Sequence, residues 1–198
     1  MSKYLSCAET AKLVRKALGE SFPGVKFSVR SSVYSGGASI DVAWVDGPNA
    51  KQVEAVAGVF KGAYFDGMID YKGSCYNMLA GERVRFGADF IFCHRSNSDA
   101  AIERAIAAVC RKYAGNIKSD SLAVPTLAAF RKGELWNHGP MGAGDHRWSW
   151  QGVIHERLGK VSDRLEPKHS PSAASVIFLG SDRTGQGPQL DAEAVGDA

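Results

Sequence analysis

Apolar and polar residues alternate along Val25–Val45 in a way that predicts a β-hairpin. Val25, Phe27 and Val29 alternate with Lys26, Ser28 and Arg30, and Ile40, Val42 and Trp44 alternate with Ser39, Asp41 and Ala43. A period of two gives each strand one apolar and one mainly polar face. Ser35-Gly36-Gly37 lies between the strands, with glycines suited to a tight reversal. Upstream, Ser6 and Glu9 form an S-x-x-E capping box for a helix reaching about Gly19, with Leu13, Val14, Ala17 and Leu18 on its apolar side. Downstream, Asn49 is placed to cap a second helix whose Val53, Val56, Ala57 and Phe60 share a face. The segment AYFDGMIDYKGSCYNML reads as irregular, with room for one short strand. Val84, Phe86, Ala88, Phe90 and Phe92 alternate with polar or smaller residues, which predicts one continuous third strand. A third helix follows from about Ser98 to Tyr113, with Ile102, Ile106, Val109 and Tyr113 as its buried stripe.

The order α-β-β-α-β-α predicts an α+β fold, a mostly antiparallel sheet with helices on one face. Its other face should display Lys26, Ser28, Arg30, Asp41, Arg85 and Asp89. The strand aromatics Phe27, Trp44, Phe86, Phe90 and Phe92 all fall on the apolar side of this reading. That argues against an RNA-recognition sheet, which stacks bases on exposed aromatic residues. The expected division is an α+β domain over residues 1–115, a helical and Gly-rich extension over 116–164, and a largely disordered tail over 165–198. Within the extension, Pro125–Leu135 suits a short helix, and within the tail Val176-Ile177-Phe178-Leu179 suits an edge strand. Disorder is expected above all from Gly185 onward.

Composition changes this picture little. The chain has 198 residues, 44% hydrophobic and 23% charged, ordinary values for a globular protein. A net charge of +3 with no basic run favours a mixed solvated surface over a nucleic-acid footprint. The N-terminal MSKYLSCAETAKL lacks the apolar core of a signal peptide, and no apolar run is long enough to span a bilayer, so a cytoplasmic protein is expected. Cys7, Cys75, Cys93 and Cys110 form no CxxC pair and read as reduced thiols.

Three strings, KFSVRSSVYSGGASIDVAWVDGP, FKGAYFDGMID and VRFGADFIFCHR, occur in that order. Together they resemble a large polyvalent protein associated domain of type 29, over about residues 6–95. The resemblance implies a setting in phages and conjugative elements, among proteins that enter the recipient with the DNA and protect it from host defence. It brings no catalytic residues with it. A short chain, set against the giant multidomain members, implies a dedicated role such as an anti-defence inhibitor.

The candidate chemistry is sparse. Asp66 and Asp70 in FDGMID stand four apart, a spacing open to metal or acid–base work and equally to a turn and a cap. Cys93-His94 offers a thiol and an imidazole, but successive strand residues point to opposite faces. His138 and His146 flank a Gly-rich loop without a neighbouring cysteine, and His155-Glu156 lacks the second histidine of HExxH. Ser35-Gly36-Gly37 can offer backbone N–H groups to a phosphate or simply reverse the chain. Lys26, Arg30 and Arg85, with Tyr34 nearby, form the best basic patch, which Asp41 and Asp89 can neutralise. Arg147, Trp148 and Trp150 are either an interface anchor or packing for the C-terminal region.

No spacing supplies a positioned nucleophile, base or metal set, so neither catalysis nor a cofactor is expected. The expected activity is non-enzymatic: binding and blocking a host defence complex, with a CRISPR effector as the leading type. The alternative is a nucleic-acid-binding module that protects or handles incoming DNA.

Overall fold

The computed structural model describes residues 2–119, 123–140, 148–163 and 165–182. Its elements run β1 (Lys3–Leu5), α1 (Cys7–Ser21), β2 (Ser28–Tyr34), β3 (Gly37–Val45), α2 (Ala50–Ala57) and a 3-10 turn at Gly58–Phe60. They continue with β4 (Ala63–Asp66), β5 (Tyr71–Leu79), β6 (Glu82–Phe86), β7 (Phe90–Ser96) and α3 (Asp99–Lys112). Then follow α4 (Ala114–Ser119), α5 (Leu127–Lys132), α6 (Trp150–Lys160), α7 (Pro171–Ala174) and β8 (Val176–Ser181). The fold is α+β, as the sequence predicts, and its sheets are mostly antiparallel.

Contacts divide the chain into two compact units. The first holds Met1–Trp44, Lys51–His94 and the chain from Glu166; the second holds Val45–Ala50 and Arg95–Leu165. This differs from the boundary expected at residue 115, because α3 belongs to the second unit. Its stripe of Ile102, Ile106 and Val109 is buried in one cluster with Trp150, Ile154 and Leu158 of α6.

In the first unit the capping box of α1 is present: Glu9 N–H donates to Ser6 Oγ, and Ser6 N–H to Glu9 Oε2. Strands β2 and β3 pair antiparallel with Arg30 opposite Asp41, and β7 completes their three-stranded sheet. Val29, Ile40, Val42 and Trp44 are buried, with Phe22, Phe27 and Trp44 in a chain of tilted ring contacts. A second sheet runs β1-β6-β5-β4, with β8 also paired to β5.

The single sheet and the single third strand of the sequence reading are both corrected here. Residues 82–96 form two strands in two different sheets. Gly87–Asp89 makes the crossing and is tied down by three backbone hydrogen bonds. Gly87 N–H donates to Leu5 O, Asp89 N–H to Ala38 O, and Gly62 N–H to Ala88 O. Gly62 and Gly87 permit this approach, since a Cβ would stand 1.8 Å from Phe86 O at the first and 2.7 Å from Leu5 O at the second. The segment read as irregular contains β4 and β5, joined by a tight turn.

Residues 165–182, expected to be largely disordered, hold α7 and β8, the latter including the expected edge-strand residues. Residues from Gly185, where disorder was expected most, lie outside the described residues. Two carboxylates explain the docking. Asp182 accepts from Ser74 N–H and the Tyr76 hydroxyl, and Glu20 accepts from Ser170 Oγ, Ser172 N–H and Ser172 Oγ. The Ser170 hydroxyl, then the Ser172 N–H, holds the Glu20 carboxyl below the usual range. A lowered carboxyl stabilises the folded state fully above its unfolded pKa and loses that contribution as pH falls through the folded value. The protection factors of the amides at residues 170–175, taken against their intrinsic exchange rates, are therefore expected to fall below about pH 4. In Glu20→Gln that pH dependence should disappear.

Candidate functional site

The strand break at Gly87–Asp89 changes what the three-stranded sheet displays. On β6, Val84 and Phe86 are buried. On β7, Ile91 is buried and Cys93 faces the interior, where burial pushes its thiol up to about 11. Phe90, Phe92 and His94 therefore project from the opposite face. Their rings form a row, Phe90 to Phe92 at 5.9 Å and 13° between planes, Phe92 to His94 at 6.3 Å and 26°. Phe92 is 45% exposed. The expectation that Phe90 and Phe92 lie on the apolar face is thus overturned, because the crossing resets the alternation between the two strands. Period-two counting carries a face assignment only along an unbroken strand.

Three strands meet on this open face. His94 Nε2 is 3.7 Å from Asp41 Oδ1, and Asp41 is the cross-strand partner of Arg30. Lys26 is exposed just before β2, and Tyr34 is exposed at its end. Arg85 is exposed on β6 and so belongs to the other sheet, which breaks up the expected single basic face. Cys93 and His94 point to opposite faces and form no dyad.

The glycine turn of the β2–β3 hairpin already holds an anion. Asp89 Oδ2 accepts from Ala38 N–H at 3.1 Å and from Lys72 Nζ at 3.0 Å, and Lys72 also donates to Gly36 O. The carboxylate stands where the phosphate of the alternative reading would be. Lys72 thereby places the tip of this hairpin within a lysine's reach of the β4–β5 turn.

That β4–β5 turn is FDGMID. Asp66 Oδ1 accepts from Met68 N–H at 3.0 Å, and Asp70 takes a left-handed backbone angle, φ 48°. Asp66 thus shapes a turn by bonding two residues ahead. The same turn leaves Phe65 and Tyr71 exposed, Ile69 71% exposed and Met68 93% exposed. Sequence reasoning attended to the two aspartates and passed over these apolar neighbours. The available signal was a run of large apolar residues interleaved with turn formers.

In the second unit Trp150 is 2% exposed and meets Tyr113 edge to face at 6.2 Å, so it is core. Trp148 is exposed, and Arg147 and His146 lie outside the described residues. His138 is exposed. His155 stacks with Trp136 and packs against Phe130, and burial lowers its pKa. Among the described residues, no group of three or more His, Cys, Asp or Glu side chains is placed to hold a metal ion.

A groove of about 740 Å³ opens in the first unit beside the 3-10 turn, lined also by β4, β5, β8 and the start of β7. Its lining includes Tyr64, Phe65, Phe90 and Phe178 among apolar neighbours, with Lys61, Glu54 and Asn77. Asn77 is 2% exposed, and its amide nitrogen has no hydrogen-bond partner among the described residues. Such an orphan costs about 1–3 kcal/mol and calls for an explanation.

These surfaces lie largely within a segment of known family. Residues 5–98 match the model of large polyvalent protein associated domain 29. This segment is a polyvalent protein associated domain. The family suggests an origin in a mobile genetic element. No curated relative and no solved structure matches the chain significantly. The domain match spans the two hairpins, the groove-lining strands except β8, and the whole aromatic row, and stops before α3. No helix among the described residues is long and apolar enough to cross a membrane.

Proposed function

We propose that this protein is a non-enzymatic anti-defence protein of a phage or plasmid, which binds and blocks a host defence complex such as a CRISPR effector. The observation that carries the reading is the β4–β5 tip. Met68 and Ile69 protrude almost fully, flanked by exposed Phe65 and Tyr71. Large apolar side chains held out on a fixed turn mark an interaction site, and aromatic anchors dominate protein interfaces. Exposed Val33 and Tyr34 on the adjoining hairpin tip extend the apolar character. The mobile-element family supplies a setting in which blocking a defence complex is useful in itself.

The test is titration of a purified CRISPR effector in a cleavage assay. Wild-type protein should inhibit to a stoichiometric end point. Combined Met68→Asp and Ile69→Asp should weaken inhibition by roughly 30- to 1,000-fold, the range of interface hot spots. Asp66→Asn should stay fully active, since the amide oxygen can still accept from Met68 N–H. An enzyme centred on FDGMID replaces this reading if a trace of protein inactivates a large excess of effector, or if folded Asp66→Asn is inert.

Nucleic-acid handling is the second reading. The Phe90-Phe92-His94 row supports it, set on the same sheet face as Arg30.

A further inference from the structure

We infer that the groove beside the 3-10 turn is a nucleobase-binding site, in which Asn77 donates a hydrogen bond to a ring carbonyl or ring nitrogen of the base. This inference rests on the nucleic-acid reading and does not use Met68 or Ile69 of the β4–β5 tip. Three observations lead to it. First, the groove's volume of about 740 Å³ is that of a small-molecule site, and Tyr64, Phe65, Phe90 and Phe178 give it the flat apolar surfaces on which a planar ring stacks. Second, Asn77 is a buried donor with no partner, so an acceptor on a planar ring supplies what the described residues leave unmet. It sits directly opposite Phe178 in the β5–β8 pairing, so the donor and one ring share a sheet face. Third, Phe90 both lines the groove and begins the row that continues through Phe92 and His94. A base held in the groove would therefore have further stacking rings along β7.

Lys61 among the lining residues gives a phosphate a counter-charge, with Glu54 limiting how much charge it can attract. The chemistry reads a planar base with an acceptor, and such a base arrives either as a free nucleotide or within a single strand. Phe92 separates these sources, because it lies in the row and not in the groove.

The experiment measures equilibrium binding of AMP, GMP, CMP and UMP, and of a short mixed-sequence single-stranded DNA, to the full chain. At least one probe is expected to bind. Asn77→Leu should weaken that binding by about tenfold or more, as loss of a buried hydrogen bond would, while leaving the thermal midpoint unchanged or higher. Phe178→Ala, at an exposed position of β8, should also weaken it and tests the site without touching a buried residue. If Phe92→Ala reduces DNA binding and spares the mononucleotide, the ligand is a single strand; if it affects neither, the ligand is a free nucleotide. Absence of binding by every probe overturns the inference. So does binding that is unchanged in Asn77→Leu, or in Phe178→Ala should the first variant fail to fold. Weak DNA binding through exposed cations alone would survive both substitutions and fall away with salt, which also counts against the groove.

Discussion

Arg95→Met is expected to destabilise the protein by about 3–5 kcal/mol, in the range for breaking a buried charge pair. The Arg95 side chain is nearly buried in the second unit and is spent on backbone. Nη1 donates to Leu158 O and Val161 O at the end of α6, while Nε and Nη2 donate to Asp46 O and Gly47 O. Asp163 stands 3.6 Å from Nη2 and supplies the countercharge. Terminal carbonyls of a helix have no partner within it, so the guanidinium acts as the cap of α6 and fastens it to the chain following β3. Methionine keeps much of the volume and abandons four carbonyls and one carboxylate. Lysine should rescue little, since its point charge cannot reproduce a planar fork. Arg104 provides the control: it is exposed, sits 3.8 Å from the same Asp163, and its replacement by methionine should cost less than about 1 kcal/mol. Denaturant unfolding monitored on Trp150, in the core of this unit, reads both. A near-zero cost for Arg95→Met would mean that water satisfies those carbonyls.

Trp44→Ala should cost a similar amount, about 3–5 kcal/mol, through loss of burial and the cavity left behind. Trp44 is buried on the core face of β3, with the Phe27 ring 5.7 Å away and Phe22 beyond it. Its neighbour Val45 is exposed, and Val45→Ala should change stability by no more than about 0.5 kcal/mol. The contrast between adjacent residues tests the face assignment directly. A stable Trp44→Ala variant that had lost partner binding would show the two faces of the hairpin to be reversed.

The positions most easily read from sequence were those with uninterrupted local repetition. The first hairpin, the capped α1, the start of α3 at Ser98 and the short α5 all follow from period, caps and turn residues, which act over a few neighbours. The family domain was legible as well, because it rests on strings in a fixed order. The candidate site was much less so. Val84 to Phe92 satisfies a period of two without a break in the letters, yet backbone bonds from Leu5, Ala38 and Gly62 bend it between two sheets. These partners are remote in sequence, and nothing local announces them.

One consequence is the aromatic row, which a continuous strand would have buried. Others are the removal of Arg85 to a second sheet and the filling of the Gly36-Gly37 turn by Asp89. Sequence likewise placed two tryptophans two residues apart without dividing them. Packing against Tyr113 made Trp150 core and left Trp148 outside. The sequence by itself determined the α+β class, the family of residues 5–98 and most helix starts, because propensity, capping and alternation are properties of neighbouring residues. Only the tertiary structure decided which aromatic side chains face solvent, which cations share a surface, and that the Asn77 amide nitrogen lies buried at a groove with no partner among the described residues, because each depends on strand pairings between residues far apart in the chain.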